Sequence, residues 1–244
     1  MVLTSLENEK VKGLIKLQRK KYRDLTNTYI VEGEHLVEEV YKNNLVEEIF
    51  VVEGNSFSFD VPCTYVSIEV MKKISTMDSP SNIVAVCKKN DSNEIIGNRI
   101  LLLDEIQDPG NLGTIIRSSV AFNIDTIILS CDTVDLYNPK VLRATQGMFC
   151  HINIITMDIV KAINYLHDNN YIVYGTNVDN GYDVRSLSSE EKNKFCLIMG
   201  NEGKGVHSNI LDLCDKNLYI NMNSQVESLN VAIACSILLY ELGR

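Results

Sequence analysis

The sequence predicts an α/β protein whose C-terminal part is a mainly parallel sheet with helices on both faces, preceded by a small α/β domain. Two observations carry this. From Arg99 onward, apolar strand-like runs (RILLLDEI, DTIILS, INIITM, YIVYGTNV, FCLIMG, NLYINM) alternate with amphipathic helical segments, the pattern of a sheet covered on both sides. Before it, the polar, turn-rich stretch KNDSNEIIGN at 89–98 separates this half from a shorter α/β pattern.

In the N-terminal part a helix is expected from Thr4 or Ser5, either of which can cap it, with Val11, Leu14 and Ile15 on one face. Strand TYIVEG, a helix carrying Leu36, Val37, Val40 and Tyr41, and strand EEIFVVEG follow. Strands CTYVS and IVAVCKK, with a short helix from about Glu69 to Ile74 between them, complete a domain over 1–90. Residues 91–98 are the expected linker and 99–244 the second domain. Its helices are NLGTIIRSSVAF, NPKVLRATQGM (Asn138 as cap, Pro139 at the first position), IVKAINYLH, HSNILDLC and SLNVAIACSILLYEL. Ligands of such sheets bind outside the carboxyl ends of the strands, which directs attention to the loops QDPGNLG, GNEGKGV and MNSQVESLN.

Composition narrows the classes. The net charge of −9 argues, as a sum, against a nucleic-acid partner. Its distribution argues otherwise: residues 10–23 hold Lys10, Lys12, Lys16, Arg19, Lys20, Lys21 and Arg23 without an acid among them. Such a face suits local phosphate contact, although charge alone equally fits a solvated helix face. The seven cysteines form no C-x-x-C pair and sit mostly in apolar runs, as small core residues in a reducing compartment. His35, His151, His167 and His207 are scattered without ligand spacing, so no metal site is expected. The longest apolar stretch, Val231 to Tyr240, is too short to span a bilayer, and no signal peptide opens the chain; a cytoplasmic protein without a membrane partner is expected.

Each loop has a plain reading beside a chemical one. In QDPGNLG, Asn111 can cap the helix that carries Arg117 in its second turn. In Gly200-Asn201-Glu202-Gly203-Lys204-Gly205, three glycines allow close backbone approach to a ligand. Its order is neither the dinucleotide G-x-G-x-x-G nor a phosphate-binding P-loop, since Val206 follows where Lys then Ser or Thr would be needed. Glu202 would also repel a phosphate there. In Glu227-Ser228-Leu229-Asn230, Ser228 is a natural cap and Asn230 falls in the first turn of the last helix.

Together, DPGNLGTIIRSSVAF, LIMGNEGKGV and VESLNVAIACSILLYEL resemble, in order, the three motifs of the SpoU (TrmH) family of RNA 2′-O-methyltransferases, within the SPOUT superfamily. KKYRDLTNTYIVEGEHLVEE is similar to the RNA-binding domain that precedes the catalytic domain in many members. The resemblance implies a trefoil knot near the C-terminus, S-adenosylmethionine as methyl donor, RNA as substrate and a homodimer built through the knotted domain. Ribosomal RNA is the expected substrate; transfer RNA, or a catalytically silent RNA-binding protein of the same fold, is the alternative. Two departures stand out: Asn221-Met222-Asn223-Ser224 replaces the family's Pro-Met-x-Gly, and Asn82 stands where relatives often carry glycine.

By motif position, the resemblance implies donor contacts from Gly200, Ile220 and Leu229, with Met199, Asn201, Glu202, Gly203, Met222 and Ser228 nearby. It places Asn111, Arg117, Glu202, Ser228 and Asn230 in the catalytic set, and Arg19, Lys20, Lys21 and Arg23 on the RNA. Arginine normally stays charged, so Arg117 is read first as an orienter of the 2′-hydroxyl and its neighbouring phosphate, with the general-base role of the family proposal as the alternative. Glu202 is then expected to position Arg117, and Ser228 and Asn230 to hold the ribose or the loop.

Overall fold

Local capping chemistry starts most of the helices, though not always at the residue expected. The computed structural model describes residues 2–90, 92–178 and 181–243; Asp91, the first residue of the expected linker, lies outside them. Strand β1 (Val2–Leu3) is followed by helix α1 (Glu9–Lys16), whose cap is Asn8. Thr4 and Ser5 lie upstream, and the Ser5 hydroxyl instead accepts from the Glu7 N–H in a turn of its own. The chain then breaks and restarts as α2 (Lys20–Thr26), a separate helix that the basic run did not reveal. β2 (Thr28–Glu32), α3 (Glu34–Lys42), β3 (Val46–Val52), β4 (Cys63–Val66), α4 (Ile68–Ile74) and β5 (Ile83–Lys88) match the expected pattern.

After these come β6 (Arg99–Leu103), α5 (Pro109–Ala121), β7 (Thr126–Leu129), α6 (Pro139–Thr145), β8 (Asn153–Thr156), α7 (Ile159–Asp168), β9 (Ile172–Thr176) and a short unpredicted β10 (Tyr182–Asp183). β11 (Phe195–Met199), α8 (Ser208–Leu211), β12 (Lys216–Tyr219) and α9 (Val231–Leu242) complete the chain. Asn138 caps α6 with Pro139 behind it, as read from the sequence. Two caps differ: Asp108, not Asn111, caps α5, and Asn230, not Ser228, caps α9. At α5 the reason is Pro109, whose fixed φ and missing N–H suit the first helical position and draw the helix start back to Asp108.

The chain divides into two compact units, one of residues 1–91 with 135–150 and the other of 92–134 with 151–244. In the first, strands run in the order β1-β4-β3-β5-β2, with β5 antiparallel to both neighbours. Val11, Leu14, Phe50, Met71, Ile74 and Val84 are among its buried core. The α6 segment, within the 99–244 stretch read from the sequence as the second domain, packs in this unit. Its residues supply what this unit buries. Arg23, only 3% exposed, donates from Nη1 to the Leu17 carbonyl at 2.9 Å and from Nη2 to Asp135 at 2.5 Å. The Tyr29 and Tyr137 rings lie 4.5 Å apart, and Arg143 donates to Thr76 at 2.6 Å. Arg23 is therefore a structural ion-pair partner, which corrects its assignment as an RNA contact.

The second unit is a seven-stranded sheet in the order β10-β12-β9-β11-β6-β7-β8, parallel throughout. β6, β7 and β11 are buried along nearly their whole length, which is why they read as unbroken apolar runs. Because every pair is parallel, all carboxyl ends lie along one edge. α9 packs on α5, where the Ser118 and Ser236 hydroxyls meet at 2.6 Å. Among the described residues, no helix is long and apolar enough to cross a membrane.

Removing one partner of a buried pair strands the other charge, at a cost of about 3–5 kcal/mol. Arg23→Ala is expected to lower stability by about 3 kcal/mol, read by equilibrium urea denaturation. A loss within about 0.5 kcal/mol, the range of ordinary surface substitutions, would contradict the structural role.

Candidate active site

At the end of β11 the chain doubles back within a few residues. Asn201 and Gly205 exchange backbone hydrogen bonds at 3.0 and 2.9 Å, and the Asn201 carboxamide oxygen accepts from the N–H groups of Gly203 and Lys204. Two glycines make the turn feasible. A Cβ on Gly200 would sit 2.1 Å from the Gly205 carbonyl carbon and the Val206 nitrogen, and Gly205 has φ +70°. The close approach foreseen from the glycine-rich sequence is thus backbone against backbone.

The turn aims Glu202 at the start of α5. Its carboxylate accepts from the N–H groups of Gln107 (3.2 Å) and Asp108 (3.0 Å) and from the Asn111 carboxamide (3.1 Å). The Asn111 oxygen in turn accepts from the Asn230 carboxamide at 2.9 Å. The Asn230 oxygen caps α9 by accepting from Ala232 and Ile233. One chain of hydrogen bonds therefore joins all three motif loops. Burial pushes the Glu202 carboxyl up, but the hydrogen bonds from Asp108, Asn111 and Gln107 outweigh it and hold it below the ordinary value of 4.5. Glu202 does not bond Arg117, which corrects the role expected for it. Arg117 is exposed, and no hydrogen bond or ion pair binds it among the described residues.

Beside this chain opens a cleft of about 300 Å³. Met199, Gly200, Asn201, Glu202, Gly203, Ile220, Met222, Ser228 and Leu229 line it, together with Lys204. Thr176, Asn177 and Val178, from the end of β9, also line it, as do Leu211, Leu218, Tyr219 and Leu238. The sequence reading missed these; the signal was available, because YIVYGTNV is another parallel strand whose end had to reach the same edge. Ser228 lines the cleft without capping a helix. Arg19, Lys20 and Lys21 lie in the first unit, and all three are exposed; Lys20 pairs with Asp24 at 2.7 Å.

One cluster escaped the sequence altogether. The His207 ring lies 2.8 Å from the buried Asp104 carboxylate and 3.9 Å from Glu105. Histidines scattered along the sequence gave no hint that the end of β6 would meet the end of the glycine-rich turn.

The parallel sheet, the turn at its edge and the three joined motif loops are the frame of one family of enzymes. The chain belongs to the SpoU rRNA Methylase family, whose model matches residues 98–240. Residues 8–85 match the MRM3-like substrate binding domain. The chain is 38% identical to the 23S rRNA (guanosine(2553)-2′-O)-methyltransferase RlmP of Bacillus subtilis (strain 168), across 98% of each protein. Among solved structures, it is similar to the S-adenosylmethionine-bound rRNA methyltransferase of Sinorhizobium meliloti, with a TM-score of 0.87 and 28% identity, covering 99% of this chain and 97% of that one. The SpoU methyltransferase AviRb of Streptomyces viridochromogenes shares the fold, with a TM-score of 0.85 at 21% identity and 98% of each chain covered.

Because the folded-state pKa of Glu202 is depressed, its ionised form adds stability above the ordinary carboxylate value, and that stability is lost as pH falls through the lowered one. Glu202→Gln is therefore expected to lower the melting temperature most near neutral pH, with the difference from wild type closing in acid, below about pH 4. A difference independent of pH would show that the carboxylate charge does not hold the loops.

Proposed function

We propose that this chain transfers a methyl group from S-adenosylmethionine to a ribose 2′-hydroxyl of 23S ribosomal RNA. The observation that carries the reading is the hydrogen-bonded chain Glu202–Asn111–Asn230, which gathers the three motif loops at the mouth of one cleft. The RlmP relative and the substrate-binding domain match favour ribosomal over transfer RNA.

The cleft suits the donor. Met199, Leu218, Ile220 and Leu229 offer apolar surface for a purine ring, and Gly200, whose missing side chain lets the turn close against Gly205 and Val206, lies on the same wall. When bound, S-adenosylmethionine supplies the methyl on a sulfonium; the protein supplies orientation and charge. Glu202 is a positioning group, since its lone pairs are engaged by Gln107, Asp108 and Asn111. Asn111 and Asn230 fix the geometry between the helix starts. Arg117, free of protein partners among the described residues, is the group available to a substrate phosphate and to the 2′-oxygen, where its charge favours loss of the hydroxyl proton to water; the negative charge left on that oxygen is then consumed as it takes the methyl. Ser228, on the cleft wall, holds the ribose. The 2′-hydroxyl itself selects RNA over DNA.

The RNA is held by the first unit. Arg19 and Lys21 are exposed, and the Gln18 carboxamide donates to the Lys73 and Ile74 carbonyls, which brings the end of α4, with exposed Lys72 and Lys73, against the α1–α2 turn. Two copies associate through α9, whose outer face carries Ile233, Ile237 and Tyr240 at helical spacing, 53%, 36% and 45% exposed. The bacterial relative that acts on ribosomal RNA favours a cytoplasmic location.

Arg117→Ala is expected to reduce methyl transfer from labelled donor to ribosomal RNA by about 10²-fold or more, the scale of losing one preorganised transition-state interaction. Donor affinity by calorimetry should stay within about threefold, because Arg117 lies outside the cleft lining; near-normal turnover would remove Arg117 from the mechanism. Replacing Arg19, Lys21 and Lys73 with alanine should weaken RNA binding and reduce its log–log salt slope by about 0.7 to 0.9 for each phosphate no longer neutralised. An unchanged slope would place the RNA elsewhere.

A further inference from the structure

The Gly200–Val206 turn has a second anchor, separate from Glu202. At its far end the His207 backbone N–H donates to Asp104 Oδ2 at 3.3 Å, and ring Nδ1 lies 2.8 Å from the same oxygen. Asp104 is 1% exposed, at the carboxyl end of β6. Alongside, the Asn201 carboxamide donates to the Glu105 carbonyl at 2.9 Å, and the Glu105 N–H donates to the Ser130 hydroxyl. These bonds hold Glu105 at φ +56°, an uncommon conformation for a residue with a side chain. Both ends of the turn that lines the cleft are thus tied to the loop after β6.

We propose that His207 is a positioning residue for the donor cleft: through the buried Asp104 carboxylate it pins the Gly200–Val206 turn, and its protonation state sets how firmly. The inference rests on reading that cleft as the donor site. The ring faces Asp104 and Glu105 from the end of β6 and Lys204 from the turn itself; α8, which follows, presents no charged side chain within its span. The hydrogen bond and charge of Asp104 raise the His207 pKa above 6.5, aided by Glu105, while burial and Lys204 oppose them. Neutral imidazole can still donate from Nδ1, so raising the pH loosens the anchor without severing it. The attachment is therefore strongest below the ordinary histidine value and weakens as pH rises through the raised one.

The test uses the full chain, with S-adenosylhomocysteine as probe and NMR detection of histidine ring and glycine amide signals. Binding to wild type should be about two- to fivefold tighter near pH 6 than near pH 8.5, the scale of a partly exposed ion pair. His207→Gln, which keeps a neutral donor, should bind about as wild type does near pH 8.5 and lose the pH dependence. In the free protein the Gly203 and Gly205 amide signals should titrate with the His207 ring, and should not in the variant. A wild-type pH ratio retained in His207→Gln, or glycine signals indifferent to the His207 titration, would overturn the proposal. Failure of wild type to bind at either pH would instead sink the donor-site reading, and the NMR titration would still decide whether His207 governs the turn.

Discussion

The carboxylate of Glu202 is the point on which the rest of the site depends. It sits at the N-terminal end of α5, where backbone N–H groups lack helical partners and the helix dipole favours negative charge. Asp108 already caps that end through its own side chain, by accepting from the Asn111 N–H. Glu202 accepts from two further N–H groups, of Gln107 and Asp108, and from the Asn111 carboxamide. Charge-assisted bonds of this kind are roughly twice as strong as neutral ones. An acid that would repel a phosphate in a nucleotide cradle is here what attaches one loop to the next.

From that attachment the division of labour follows. The groups fully engaged with one another, Glu202, Asn111 and Asn230, set geometry; Arg117 is exposed and bound by no described residue, which on the proposed reading leaves it for the substrate. The scaffold makes this arrangement feasible. A sheet parallel throughout presents its carboxyl ends along one edge, so loops far apart in the chain meet without long excursions. The packing of α9 on α5, with Ser118 against Ser236, brings the third motif to the first and lets Asn230 reach Asn111.

Much of the second unit was legible because its strands are buried on both faces, which leaves apolar runs such as RILLL and FCLIM that no other element explains as well. The cleft residues Met199, Gly200, Ile220, Met222 and Leu229 were legible through motif resemblance, and they meet in one cavity. What failed was decided by tertiary contact. Arg23 looks like its exposed neighbours in sequence, yet Asp135, 112 positions away, buries it. Asp135 opens the segment 135–150, which packs in the first unit although it follows the linker in the chain. Asn111 and Ser228 were each a sound cap by residue type, but Pro109 moved one helix start and Asn230 took the other. His207 had no local signal, because its partner is a buried acid on a distant strand end.

The most direct test of the central claim is chemical mapping of the product. Large-subunit ribosomal RNA lacking the modification would be incubated with the purified chain and methyl donor, then subjected to partial alkaline hydrolysis read at nucleotide resolution. A 2′-O-methyl group leaves the adjacent phosphodiester resistant to alkali, so one new protected linkage is expected, dependent on both enzyme and donor. Methylation that leaves every linkage alkali-sensitive would place the chemistry on a base, and would contradict the assignment of the ribose oxygen as the acceptor.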